Sequence, residues 1–147
     1  MANSLFTSMK IAASGMSVQR TRVDVVAENI ANAESTRTSA GGPYRRRMVV
    51  LQTQSANPSF KDVFASSQQG QDSGVKVASI VQDPSPFRQV YDPSHPDANA
   101  KGIVSYPNVN PVQEMADLTG ASRGYESDVS VLQASKRMFM KTLDLLR

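Results

Sequence analysis

Residues 5–33 read LFTSMKIAASGMSVQRTRVDVVAENIANA, and apolar residues recur along them in alternating steps of four and three. The series runs through Leu5, Met9, Ala12, Met16, Val23, Val26, Ile30 and Ala33, and Gln19 interrupts it once. This period, sustained over four heptads, is typical of a helix that packs against another helix. The stretch contains no proline, and Asn3 or Ser4 can serve as N-cap. The sequence therefore predicts a long N-terminal helix.

The C-terminal residues 110–147 repeat the pattern. Asn110 is a favourable N-cap, Pro111 suits the first helical position, and Gln113 stands where a capping-box partner belongs. We expect the two helices to pair within the chain through an apolar seam. On the first helix this seam comprises Leu5, Met9, Met16, Val23, Val26 and Ile30, and on the second Leu118, Tyr125, Val129, Leu132, Phe139, Leu143 and Leu146.

Each helix also carries a second apolar stripe, on another face. It comprises Ile11, Val18 and Val25 on the first helix, and Val131, Met138 and Leu145 on the second. Pairing through the seam would bury one stripe of each helix and leave the other exposed. Because stable monomers rarely leave such stripes bare, we expect the second stripe to contact neighbouring subunits.

The middle of the chain differs from both ends. All eight prolines lie between residues 43 and 111. Residues 44–51 and 75–81 read as strands, 88–91 and 103–106 as short extended pieces, and 52–59 and 68–74 as polar loops. The predicted fold is mainly α with a small β-rich middle segment, its terminal helices pairing as a coiled coil in a helical polymer. The segments are an N-terminal helix at 1–36, the middle region at 37–109 and a C-terminal helix at 110–147.

Composition excludes several classes of function. The 147 residues suit one domain, and without any cysteine there is no disulfide framework, thiol nucleophile or Cys-ligated metal. The net charge of +3 is spread along the chain, so no basic patch favours nucleic acid. No apolar run is long enough to span a membrane, and the N-terminus lacks the pattern of a secretory signal.

Two local clusters are candidates for chemistry. Asp92-Pro-Ser-His95-Pro-Asp97 offers three ligand atoms, but no distant His or Cys completes a metal site. We therefore expect a structural turn whose two carboxylates cap backbone amides without needing the imidazole. In Arg45-Arg46-Arg47 alternate side chains point to opposite faces of a strand, which favours a solvated strand or an acidic partner over nucleic acid.

Three further residues stand out within the first helix. Gly15 interrupts a good helix at a cost of about 1 kcal/mol, so we expect a close backbone approach there. Asn29 and Asn32 share one side of the helix. Two interpretations stay open for them: they bond a neighbouring chain, or they begin the unwinding of the helix.

The sequence also resembles a known family. Ala13-Ser-Gly-Met16, Gln19, Arg22 and Asn29-Ile-Ala-Asn32 resemble the N-terminal signature of bacterial flagellar rod and hook proteins. The stretches 92–98 and 102–110, with Glu114-Met115 and Arg123-Gly-Tyr-Glu126, resemble proximal-rod proteins of the FlgC type. The resemblance covers essentially the whole chain. It departs at Ser127-Asp128, where Ala-Asn is usual, and in the mostly polar insert at 53–74.

The resemblance implies a non-enzymatic subunit of the flagellar basal-body rod, which polymerises helically to transmit torque and to line the export channel. The implied partners are other rod subunits, further copies of the chain and the flagellar type III export apparatus. The implied location is the rod crossing the periplasm, reached from the cytoplasm without a cleaved signal peptide. Neither a cofactor nor a metal nor a small-molecule substrate is implied. Alternatives from other classes are a cytosolic coiled-coil adaptor that dimerises through the heptads, and an enzyme built around His95.

Overall fold

Two long helices flank short strands in the computed structural model, which describes residues 2–39, 41–54 and 74–145. The elements in chain order are α1 (Ala2–Ala31), β1 (Arg47–Thr53), β2 (Val75–Gln82), β3 (Arg88–Tyr91), β4 (Ile103–Tyr106) and α2 (Pro111–Leu145). The predicted mainly helical fold with a β-rich middle is confirmed. The side chains of Leu5, Leu145 and Leu146 lie outside the described part, as do most of the predicted polar loops.

Polar side chains lie at two of the helix ends. α1 ends at Ala31 rather than at residue 36, and just beyond it the side-chain Nδ2 and the backbone N of Asn32 both donate to Glu28 O, at 2.9 and 3.1 Å. At the start of α2, Val112 N donates to Asn110 Oδ1 at 3.1 Å, which confirms the predicted N-cap. Asn32 thus lies directly after the end of α1, as the second of its two interpretations expects, and its bonding to a neighbouring chain stays a prediction.

The strands form two two-stranded antiparallel pairs. In β3–β4, Arg88 lies opposite Tyr106 and Tyr91 opposite Ile103. In β1–β2, Asp83 N donates to Arg46 O at 2.8 Å at one end, and Gln54 N donates to Gly74 O at 2.6 Å at the other. The predicted strands are therefore present. β1 begins at Arg47, later than predicted.

The chain divides into two compact units. Unit 1 comprises Met1–Thr21, Leu51–Ala78 and Ala121–Arg147, and unit 2 comprises Arg22–Val50 and Ser79–Gly120. Among the described residues, the buried apolar side chains of unit 1 are Ala12, Val18 and Ala121, and those of unit 2 are Val25, Ala33, Tyr44, Val104 and Val109. These cores are small, and many large apolar side chains stay exposed.

In unit 1 the two helices meet through small and polar residues. Ser8 Oγ lies 3.4 Å from Ser135 Oγ, and a Cβ added to Gly15 would lie 2.5 Å from Asp128 Oδ2. A Cβ added to Gly124 would likewise lie 2.9 Å from Nε2 of the α1 residue Gln19. Residue numbers rise along α1 as they fall along α2, so the helices run antiparallel here. The close approach predicted at Gly15 is confirmed.

The apolar stripes do not separate into one buried and one exposed set. Val18 and Val25 are only 4% and 5% exposed, so the expectation that the second stripe of α1 stays bare is wrong at both positions. In unit 2, Val25 is buried beside β1, because it lines a small cavity together with Met48 and Val49. The other described members of that stripe, Ile11, Val131 and Met138, are exposed.

The described residues of the expected seam are mostly half-buried. Its half-buried members are Met9, Met16, Val23, Val26, Ile30, Leu118, Val129, Leu132 and Phe139, whereas Tyr125 and Leu143 are exposed. Phe139 meets Phe6 edge to face, with ring centroids 5.5 Å apart. The pairing role of the remaining seam residues stays a prediction.

Candidate assembly site

The amide of Asn29, 1% exposed, is the centre of a buried polar network in unit 2. Its Oδ1 accepts hydrogen bonds from Tyr44 Oη and Arg47 N, each at 2.9 Å, and its Nδ2 donates to Arg47 O and Glu114 Oε2, each at 2.9 Å. The side chain thus pairs with both backbone groups of Arg47, as a neighbouring strand would. All four hydrogen-bonding positions of the amide are used. Asn29 therefore bonds its own chain, and the network ties α1 to β1 and α2.

Glu114, which is fully buried, holds the second half of the network. Its Oε1 accepts from Arg46 Nε at 2.6 Å, while Oε2 accepts from Asn29. The Arg46 guanidinium also lies 3.6 Å from Asp83 and 3.6 Å from Asp117. A buried carboxylate is tolerated only when it is paired and hydrogen-bonded, and both conditions are met here.

Burial and charge shift two pKa values in this network. Burial by itself lowers the pKa of Arg46, but the hydrogen bond to Glu114 and the charges of Glu114, Asp83 and Asp117 outweigh it and raise that pKa above its ordinary value. The pKa of Tyr44 is raised, chiefly by burial of the phenol, with the charge of Glu28 adding to the shift. The network therefore holds a cationic arginine and a neutral tyrosine.

The three consecutive arginines are engaged within the chain. Arg47 pairs with Glu28 at 2.8 Å, and Arg45 lies 4.3 Å from the centroid of the Phe87 ring while donating to Asp83 O at 2.9 Å. The acidic and aromatic groups in these contacts belong to the same chain, while Arg47 remains exposed, so the solvated strand or acidic partner stays a prediction.

Asp83 and Ser85 form a turn beside the network. Asp83 Oδ1 accepts from the hydroxyl and the backbone amide of Ser85, at 2.5 and 2.9 Å. These two hydrogen bonds, followed by the nearby charge of Arg46, lower the pKa of Asp83. The carboxylate is thus stabilised in its ionised form, which keeps it available to Arg46.

The Asp92–Asp97 segment forms the predicted turn, with one difference. Asp92 Oδ1 caps Ser94 N at 3.1 Å, as expected, and hydrogen bonds from Ser94 lower the pKa of Asp92. Asp97 instead accepts from Thr36 Oγ1 at 2.8 Å, and its own amide donates to His95 Nδ1 at 3.1 Å. The imidazole thus accepts one hydrogen bond within the turn, and the expectation that the turn does not need it stays a prediction.

Metal-binding clusters and membrane-spanning helices are absent from the part of the chain that the structure describes. Within residues 2–39, 41–54 and 74–145, no group of three or more His, Cys, Asp or Glu residues is placed to hold a metal. Over the same ranges, neither helix is long and apolar enough to cross a membrane. The described part of the chain thus presents structural networks and exposed helix surface.

Exposed apolar side chains on α2 form the other candidate feature. In unit 1 they are Tyr125, Val131, Met138, Met140 and Leu143, each between 41% and 53% exposed. In unit 2, Val112 and Met115 at the start of α2 are 76% and 55% exposed. Side chains of this size cost free energy in water and gain it when covered, so α2 carries surface suited to assembly.

Sequence reasoning missed the buried network itself. From the sequence, Glu114 is predicted as part of a family motif and as an acid favourable to the dipole of α2, and Arg46 as one member of a basic run. A usable signal existed, because an Asn within an apolar helix and a Glu in the first turn of another are both unusual core residues. Their pairing over 85 positions of sequence separation is visible only in three dimensions.

Comparisons with known proteins match both ends of the chain. The family model described as "Flagella basal body rod protein" matches residues 9–37, and the one described as "Flagellar basal body rod FlgEFG protein C-terminal" matches residues 100–145. Three relatives, each named flagellar basal-body rod protein FlgC, align over nearly their full length. The protein of Borreliella burgdorferi is 44% identical over 97% of this chain and 98% of its own. The protein of Bacillus subtilis is 44% identical over 95% and 97%, and that of Escherichia coli O157:H7 is 39% identical over 96% and 97%.

Proposed function

Since the chain belongs to the FlgC family of flagellar basal-body rod proteins, it is a structural subunit of the rod, and we propose that it polymerises helically to transmit torque and to line the export channel. The observation that carries the proposal is the extent of the similarity, which runs through both terminal helices. The alternative of a cytosolic adaptor finds no support in these relatives.

The finer steps of the proposal concern partners and location. The subunit joins further copies of itself and other rod subunits, in the part of the rod that crosses the periplasm. It reaches that place through the flagellar type III export apparatus without a cleaved signal peptide. It works without catalysis, cofactor or small-molecule substrate. The long terminal helices pair as a coiled coil in the assembled rod.

The exposed apolar surface of α2 supports assembly as the role of this helix. Val131 and Met138 lie two helical turns apart on one side of α2 and are 47% and 53% exposed. Covering one such side chain fully stabilises an interface by roughly 1.5–3 kcal/mol. A charge placed at either position would have to be desolvated in the interface, which makes assembly unfavourable.

Genetic complementation tests this function. A strain lacking the gene should be non-motile, and the wild-type gene should restore swimming and complete basal bodies. Val131→Asp and Met138→Asp should fail to restore them, although the purified variants keep wild-type circular dichroism. Ser130→Asp, at an exposed polar position of the same helix, is the matched control and should restore swimming. Normal motility with both apolar positions charged would refute the assignment of this surface to assembly.

A further inference from the structure

The C-terminal half of α2 carries a cationic surface around one methionine. Lys136, Arg137, Met140 and Lys141 are all exposed and, with Gln133, line a shallow groove of about 490 Å³. Arg137 Nε donates to Gln133 O of its own helix, at 3.4 Å. In the described residues none of the three cations has a carboxylate partner. Like charges at positions 137 and 141 repel each other across one helical turn, so an acidic partner would relieve an unfavourable arrangement.

The exposed side of α1 carries an opposite pair of charges. Arg20 and Asp24 lie one helical turn apart, both are exposed, and neither forms an ion pair with another described residue. On α2 the cationic groove is followed by one exposed acid, Asp144. Each of the two helices thus carries a basic and an acidic residue about one turn apart, so that the basic residue of one helix can lie opposite the acidic residue of the other.

The two units also differ in net charge. Nine Lys and Arg residues against five Asp and Glu residues leave unit 1 with a net charge of +4. Seven against eight leave unit 2 at −1. The groove, Asp144 and Arg20 belong to unit 1, and Asp24 belongs to unit 2. The net charges therefore favour the pairing of Lys141 in unit 1 of one copy with Asp24 in unit 2 of another.

The direction of such a contact follows from the proposed function, on which this inference rests. Copies in a helical rod point the same way, and α1 and α2 run antiparallel within unit 1, so α1 of a neighbouring copy runs antiparallel to α2. In that direction, placing Lys141 opposite Asp24 brings Asp144 opposite Arg20, because the two pairs are three and four residues apart on their helices. A single register therefore satisfies two ion pairs.

We propose that the groove formed by Lys136, Arg137, Met140 and Lys141 docks onto the Arg20–Asp24 face of α1 in a second copy, with Lys141 paired to Asp24 and Asp144 to Arg20. The contact joins two different surfaces. It therefore leaves one free surface of each kind after every addition, and it propagates instead of closing into a dimer. Because both pairs are exposed, the contact weakens as salt rises.

Charge reversal in the full-length chain tests this pairing. Self-association is followed by sedimentation velocity at low salt, and Asp24→Lys or Lys141→Glu should each weaken it by about fivefold. An equimolar mixture of the two variants should recover wild-type association, since each wild-type surface then meets its partner and the two reversed surfaces meet each other. Recovery on mixing is specific to contact between copies, because a pairing within one chain stays broken in the mixture.

The matched controls are Glu126→Lys and Arg123→Glu, which make the same charge changes at exposed positions of α2 outside the groove and should leave association unchanged. Circular dichroism checks the fold of every variant. Wild-type association that both reversals leave intact, or that the mixture fails to recover, would overturn this contact while the proposed function stands. A wild-type chain that does not associate at any accessible concentration would overturn this contact and the proposed polymerisation with itself, while membership of the rod, which rests on the relatives, stands.

Discussion

Replacing Glu114 by Gln tests whether the buried network holds unit 2 together. The two carboxylate oxygens accept from Arg46 Nε at 2.6 Å and Asn29 Nδ2 at 2.9 Å, and both of these partners are donors. Glutamine keeps one acceptor oxygen and adds a donor, so one buried donor must face another. Arg46 also loses its nearest counter-charge, although two carboxylates remain 3.6 Å away.

The expected loss of unfolding free energy is about 3 kcal/mol. Breaking one side of a buried ion pair costs roughly 3–5 kcal/mol, and the lower end applies because the Arg46 side chain is 24% exposed and retains other partners. Urea unfolding followed by circular dichroism measures it as a midpoint lowered by about 1.5 M, for a slope of about 2 kcal/mol/M. Glu126→Gln, exposed on the same helix, should change stability by less than about 0.5 kcal/mol. Equal midpoints for the two variants would refute the structural role of the network.

Three further predictions concern single positions. Because the pKa of Asp83 is lowered in the folded state, its ionised carboxylate stabilises the fold above about pH 4, and this stabilisation is lost as the pH falls through the folded-state pKa. In urea unfolding, Asp83→Asn should therefore lower the free energy of unfolding most at pH 7, and the difference from wild type should become smaller below pH 4. Gly102→Ala should destabilise the chain by about 1–2 kcal/mol in thermal unfolding, because φ is +71°, whereas Gly120→Ala, in a helix with open space around the added methyl, should stabilise it by up to about 1 kcal/mol. Val18→Asp should cost more than about 3 kcal/mol in urea unfolding because it buries an unpaired charge, while the exposed Val131→Asp should alter folding stability by less than about 0.5 kcal/mol.

The heptad pattern predicted which helices exist better than it predicted how they pack. It predicted both helices and their approximate bounds, because period and capping residues act over one or two turns. It did not predict that Gly15 and Gly124 would each receive a polar side chain from the opposite helix. Such a contact between two helices depends on their tertiary packing and leaves no periodic signal in either one.

The structural turn at residues 92–97 was predictable for a similar reason, since prolines and short carboxylates act on neighbouring amides. The part played by His95 was not, because its acceptor nitrogen depends on how the ring is oriented by the turn. Membership of the flagellar rod and hook family was also readable from short motifs.

Local interactions account for what the amino-acid order settled: the two helices, their caps, the short strands and the family signature, all of which depend on residues within a few positions of each other. Tertiary structure decided which polar groups became core and which apolar groups stayed outside. Asn29 and Glu114 are buried because a strand and a second helix supply their hydrogen bonds, and Val18 is buried although the pattern placed it outside. Burial depends on partners brought together by the whole fold, and that information is not carried by any one stretch of sequence.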